Sequence, residues 1–187
     1  MTMRTLFRML TSDAIVFPSE AMITTLEYVN EVSEYPFVEI CGSSTRRIKC
    51  KIQDRSGTLV VSMITLPKIN NNSSEELNHI CETPNHQNSS HDVMTFTVES
   101  ILAFVDDVKD TNSIHRKAPY IVPGCLLLEK IWQYVNQLTL VQSINIRFLS
   151  PVRANEVVTL EHDEQHVIGK VEDTIVFKVI YKEESHE

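Results

Sequence analysis

Residues 124–138 read Gly124-Cys-Leu-Leu-Leu-Glu-Lys-Ile-Trp-Gln-Tyr-Val-Asn-Gln-Leu138, directly after Pro123. At 3.6 residues per turn, Cys125, Leu127, Leu128, Ile131, Trp132, Tyr134, Val135 and Leu138 cover more than half of a helix circumference. A surface helix needs only one apolar stripe, so a helix this apolar is enclosed by other structure. The period then changes to two. Ile144, Ile146 and Phe148 alternate with Asn145 and Arg147 until Pro151 ends the run, Val158 and Leu160 share one face of 156–162, and 174–181 alternates through Ile175, Phe177, Val179 and Tyr181. One greasy helix followed by antiparallel strands predicts an α+β fold, an antiparallel sheet wrapped around a central helix.

Upstream, Thr97 is placed to cap a helix with Glu99 in its first turn, and Ile101, Leu102, Val105 and Val108 predict a short amphipathic helix over 98–108. Residues 68–92 are poor in apolar side chains and crowded with Asn, Ser and His, the composition of a linker or surface loop. They divide the chain into an N-terminal unit, 1–67, and a C-terminal unit, 93–187. His79, Cys81, His86 and His91 match no standard ligand spacing, and no metal site is expected of them. In the N-terminal unit Pro18-Ser19-Glu20 looks like a helix start, and Met22, Ile23, Leu26 and Val29 give it an apolar stripe. Strands are expected at 37–41, 46–53 and 58–66, the last two joined by a hairpin turn at Asp54-Arg-Ser-Gly57. Helix then strands, twice over, hints at a tandem repeat.

The 187 residues suffice for one domain or two small halves sharing a core. A formal net charge of -8 argues against nucleic acid as a partner, because phosphate binding needs a basic face. The first ten residues carry arginines but no long apolar stretch or cleavage site, and no run is long enough to span a bilayer, so no membrane association is expected. Cys41, Cys50, Cys81 and Cys125 have no paired spacing, which suits reduced thiols in a cytoplasmic protein.

Chemistry concentrates between the two C-terminal helices. Asp110, Asn112 and His115 lie on one loop, and Gly124 opens the long helix. Imidazole titrates near neutrality, and a carboxyl group five residues upstream on the same loop is able to fold back beside it. Gly124 offers a backbone N–H at a helix N-terminus with the helix dipole behind it, and its missing side chain lets a substrate approach. Asn112 is placed to orient water or to brace the loop. Glu129 falls at the edge of the polar arc made by Lys130, Gln133, Asn136 and Gln137, so a catalytic acid and a solvated glutamate are both open. Arg116 and Lys117 are candidates to meet substrate phosphates, or they are exposed loop charges.

Phe96-Thr-Val-Glu-Ser-Ile-Leu-Ala-Phe104 followed by Asp110-x-Asn112-x-Ile114-His115 resembles the MaoC-like enoyl-coenzyme A hydratases and dehydratases of the hot dog superfamily, and Arg147-Phe148-Leu-Ser-Pro151-Val152 resembles a strand of the same family. Ser113 stands where that family usually has proline. The spacing His115-x7-Pro123-Gly124-x-Leu126-x-x-Glu129 is instead similar to the β-hydroxyacyl-acyl-carrier-protein dehydratases. The resemblance covers roughly residues 94–182. It implies a hot dog fold, tandem if the N-terminal half is a degenerate copy, and a hydratase or dehydratase acting on 3-hydroxyacyl or enoyl thioesters of coenzyme A or a carrier protein. It implies His115 as a catalytic residue, with Asp110 in the first family's pattern and Glu129 in the second's. It implies no cofactor and a homodimer, or a pseudo-dimer within the chain. A hot dog thioesterase using Glu129 and a non-catalytic acyl-thioester-binding protein are the alternatives. Docking of an acidic carrier would need a local basic patch, for which Arg116 with Lys117, or Arg46, Arg47, Lys49 and Lys51, are the candidates.

Overall fold

The computed structural model describes residues 3–12, 21–31, 33–44, 46–65 and 92–184. The enclosed helix, α3 (Gly124–Leu138), has the bounds its apolar density predicts, with Cys125, Leu126, Leu127, Leu128, Ile131 and Val135 buried. It contacts β1 (Ala21–Val29) and β6 (Val141–Phe148), and the Trp132 ring meets the Tyr28 ring of β1 edge-on at 4.7 Å. Ahead of it lie β5 (Asp92–Thr95) and α2 (Val98–Asp107), whose cap is the expected one: the Ser100 N–H donates to the Thr97 hydroxyl.

The remaining strands are β2 (Phe37–Ser43), β3 (Arg47–Asp54), β4 (Gly57–Thr65), β7 (Val157–Asp163), β8 (His166–Val171) and β9 (Thr174–Glu183). All nine described strands form one antiparallel sheet in the order β2-β3-β4-β1-β6-β9-β8-β7-β5. The seam between the two parts of the chain is β1 against β6, with Leu26 opposite Ile146. On each side of it the chain runs helix, seam strand, then a three-strand meander that returns to the seam. α1 (Arg4–Leu10) and β1–β4 thus mirror α3 and β6–β9. Among the described residues the first part has no counterpart of β5 or of the loop that carries His115. One continuous hydrophobic core runs through both parts.

One expectation fails. Residues 21–29 form a central strand, not a helix. Leu26 and Tyr28 alternate inward as a strand requires, but a β-bulge between Ile23 and Thr25 inserts one extra residue and breaks the period of two. The leftover spacing of Met22, Ile23, Leu26 and Val29 imitates a helical stripe. The helix of this part lies earlier, at α1, where Leu6, Phe7 and Leu10 are buried. The hairpin at Asp54–Gly57 is as expected, with Gly57 at φ 131°. Of the 68–92 stretch only Asp92 is described, in β5; the rest of it, His79, Cys81, His86 and His91 included, and Pro18-Ser19-Glu20 lie outside the described residues. No helix among the described residues is long and apolar enough to cross a membrane.

Candidate active site

The loop between α2 and α3 is held from several directions. The Asp110 N–H donates to the Val105 carbonyl as α2 ends, and one carboxylate oxygen of Asp110 accepts from the Asn112 N–H at 2.9 Å. Asn112 caps a single 3-10 turn (Ser113–His115), and its amide donates to the Ala21 carbonyl at 2.9 Å, tying the loop to the start of β1. Asn112 is therefore a brace between the two parts of the chain. Arg116 turns back onto the same loop. Its Nε and one Nη donate to the Asp110 carbonyl at 3.0 and 2.8 Å, and the other Nη meets the Asp106 carboxylate at 2.8 Å. Three of its five N–H donors are thus used within the protein. Lys117 is exposed and does not line the cleft described below.

This bracing brings Asp110 and His115 together. His115 is 8% exposed, and its Nδ1 lies 2.8 Å from the Ile121 carbonyl oxygen. A carbonyl only accepts, so Nδ1 carries the proton and the neutral ring keeps its lone pair on Nε2. Nε2 faces the second carboxylate oxygen of Asp110 at 3.7 Å. That is too long for a direct hydrogen bond and close enough to share a proton through a small bridging atom. Burial pushes the His115 imidazolium below its ordinary range and the Arg116 charge adds to the effect, while Asp110 and the Ile121 carbonyl pull the other way. The neutral, basic form is thus favoured at neutral pH.

Both residues line a cleft of about 530 Å³ whose walls are mainly apolar. Phe7 and Leu10 come from α1, Ile23 from β1, Met63 from β4 and Leu127 from α3, so both parts of the chain enclose it. Gly124, at the first turn of α3, lines the cleft too, and no side chain caps that helix end, which leaves its first N–H groups directed outward. A Cβ on Gly124 would lie 3.2 Å from the Phe148 ring and 3.5 Å from the Ile23 Cβ, so the ring would have to give by a few tenths of an ångström. Close backbone approach at this glycine is used by the Phe148 ring. Cys125 also lines the cleft, and full burial raises its thiol well above the usual range, so it is present as an apolar thiol.

Glu129 is placed elsewhere. It does not line the cleft, and its two oxygens accept from Arg4 Nε at 2.8 Å and an Arg4 Nη at 2.9 Å. Arg4 also meets Asp107 at 2.9 Å and lies over the Phe104 ring, and this network raises its pKa, with the Glu129 hydrogen bond as the largest cause. The Arg4–Glu129 pair ties α1 to α3. Two contributors escaped the sequence reading: Ile121, which acts through a backbone oxygen, and Phe148, read only as a strand residue. Among the described residues no group of three or more His, Cys, Asp or Glu is arranged to hold a metal ion.

No family model matches the chain, and no curated protein matches it. Solved structures do. HtdX of Mycobacterium tuberculosis superposes with a TM-score of 0.63 at 12% identity, covering 96% of this chain and 82% of that one. A MaoC-like dehydratase from Phytophthora capsici gives 0.56 at 13% identity, covering 92% and 75%. An acyl-ACP thioesterase from Bacteroides thetaiotaomicron gives 0.51 at 12% identity, covering 87% and 76%. These likenesses establish the fold as a hot dog fold.

Proposed function

We propose that the chain is a hydratase or dehydratase of 3-hydroxyacyl and trans-2-enoyl thioesters, with Asp110 and His115 as its catalytic residues. One observation carries the reading: His115 is held through Nδ1 so that Nε2 and the Asp110 carboxylate converge at 3.7 Å on a largely apolar cleft that also receives the uncapped end of α3. An apolar cleft suits an acyl chain, and the helix end suits a thioester oxygen that gains negative charge. In hydration, neutral His115 takes one proton of the attacking water at Nε2 as the hydroxyl bonds to C3, and gives that proton to C2, while the Asp110 carboxylate orients the water and faces the transient imidazolium. Dehydration runs the same transfers backwards, with neutral His115 removing the C2 proton and returning it to the departing hydroxyl. His115 thus ends each turnover neutral, as it began. The N-terminal part, in this reading, is a degenerate partner half that supplies a wall of the cleft in place of a second site.

A thioesterase reading has structural neighbours with that activity in their names. Its candidate carboxylate, Glu129, is held by Arg4 away from the cleft, which weighs against it. Incubation with crotonyl-coenzyme A tests both. The expected result is loss of enoyl absorbance, formation of the (3R)-3-hydroxyacyl product and no free thiol. Thiol release without hydration would replace this proposal with the thioesterase one.

A further inference from the structure

Asp110 closes a turn that its own residues do not favour. As α2 ends, the Lys109 N–H donates to the Asp106 carbonyl and the Asp110 N–H to the Val105 carbonyl, the two bonds of a Schellman C-cap. Such a cap needs a left-handed residue before its last N–H, a place that glycine usually fills, and here Lys109 adopts it at φ 57°. Backbone strain therefore sits directly before the carboxylate that faces His115. Arg116 spans this turn. Two of its donors converge on the Asp110 carbonyl at 3.0 and 2.8 Å, and a third reaches the Asp106 carboxylate at 2.8 Å. Among the described residues the Asp110 carbonyl has no other hydrogen-bond partner.

The N–H, the carbonyl and one carboxylate oxygen of Asp110 are thus all engaged, and the remaining oxygen is the one 3.7 Å from His115 Nε2. The Asp106 side chain is mostly exposed, so its ion pair with Arg116 adds little stability. What the guanidinium governs is where the Asp110 carboxylate points. We infer that Arg116 is a positioning residue for the proposed catalytic pair, clasping the strained turn that aims Asp110 at His115. Its effect on turnover rests on the proposed reaction; its effect on the placement of Asp110 does not. His115 itself reports that placement. Burial lowers its pKa most, Asp110 and the Ile121 carbonyl raise it, and Arg116 lowers it. The other titratable side chain lining the cleft, Cys125 of α3, is an uncharged thiol. The upward pull of Asp110 on the ring therefore measures how closely the carboxylate is held to it.

Wild type, Asp110→Asn, Arg116→Gln and the double variant form a cycle, read by NMR titration of the His115 ring, whose signal is assigned by its loss in His115→Gln. In the wild-type background Asp110→Asn should lower the His115 pKa by about 0.5 or more, because it removes a charge that raises it. In the Arg116→Gln background the same change should lower it by less than about half as much, since the carboxylate is no longer held against the ring. With crotonyl-coenzyme A, Arg116→Gln should reduce kcat about tenfold or more and leave KM within about twofold, the mark of a misaimed group. Arg116→Lys, which keeps the charge and a donor, should recover part of that loss, and both variants should melt within about 4 °C of wild type. An Asp110→Asn effect of equal size in both backgrounds, or a kcat for Arg116→Gln within about twofold of wild type, would overturn the inference. So would a raised KM at unchanged kcat, which would make Arg116 a contact to substrate phosphate. If the wild type does not hydrate crotonyl-coenzyme A, the proposed reaction fails, and the titration cycle still decides whether Arg116 positions Asp110.

Discussion

Replacing Glu129 with glutamine separates chemistry from architecture at the one carboxylate that the sequence leaves undecided. In the structure the Glu129 side chain is 12% exposed and Arg4 36%, joined by two hydrogen bonds at 2.8 and 2.9 Å. Fully exposed pairs contribute about 0.2–1 kcal/mol, and hydrogen bonds to charged groups about 1.5–3 kcal/mol when sheltered. This half-sheltered pair belongs between, at about 1–2 kcal/mol. Glutamine keeps one acceptor and loses the charge, so the expected cost is about 1 kcal/mol, or a fall in melting temperature of roughly 2–4 °C for a chain of this size. Hydration of crotonyl-coenzyme A should stay within about threefold of wild type, whereas loss of a general acid typically costs about 10²–10⁴-fold. Arg4→Ala should destabilise more than Glu129→Gln, because it strands a sheltered carboxylate. Melting curves and steady-state rates measured on the same preparations decide the matter. A collapse of activity with an unmoved melting temperature would refute the reasoning and return Glu129 to the catalytic machinery.

Three further outcomes are expected. His115→Ala and Asp110→Ala should each lower hydration by about 10²-fold or more with the far-ultraviolet dichroism unchanged, and activity that survives either substitution removes the catalytic pair. Because burial lowers the folded pKa of His115 below the ordinary value of 6.5, the unfolded chain binds the proton more tightly; stability is intact above about pH 6.5 and falls as pH drops from there through the lower folded pKa. Denaturant titrations at pH 7.5 and 5.5 should show that fall in wild type and less of it in His115→Gln, and an equal fall in both would dissociate it from this ring. Gly169→Ala should be among the most damaging single changes, since its Cβ would run into the buried Phe177 ring opposite; a loss below about 1 kcal/mol in chemical denaturation would contradict that packing.

How much of this was legible depended on the range over which each cause acts. α3 declares itself because eight apolar residues within one stretch satisfy a single rule, and the Thr97 cap because it acts on a neighbour three residues away. Asp110 and His115 are five residues apart, so their meeting needs only one loop. β1 misled because a single inserted residue at its bulge destroyed the local period, while its true partners are fixed by pairing with β4 and β6. The partner of Glu129 lies 125 residues away, and nothing near Glu129 in sequence encodes Arg4. The role of Ile121 is carried by a peptide oxygen, which no side-chain reading reveals.

The seam between β1 and β6 has a kinetic side. It pairs Leu26 with Ile146, so most of the chain must be gathered before a single rung of that ladder forms. Loop closure over such a separation is slow relative to hairpins such as β3–β4, and the seam is expected to zip late in folding. Until it does, each part exposes the long, apolar rim of its seam strand, the kind of edge that recruits another nascent chain. Because the two halves share one backbone, their encounter has a fixed effective concentration at any dilution, unlike the meeting of two separate subunits. Covalent continuity thus protects the step at which this architecture is most open to misassembly.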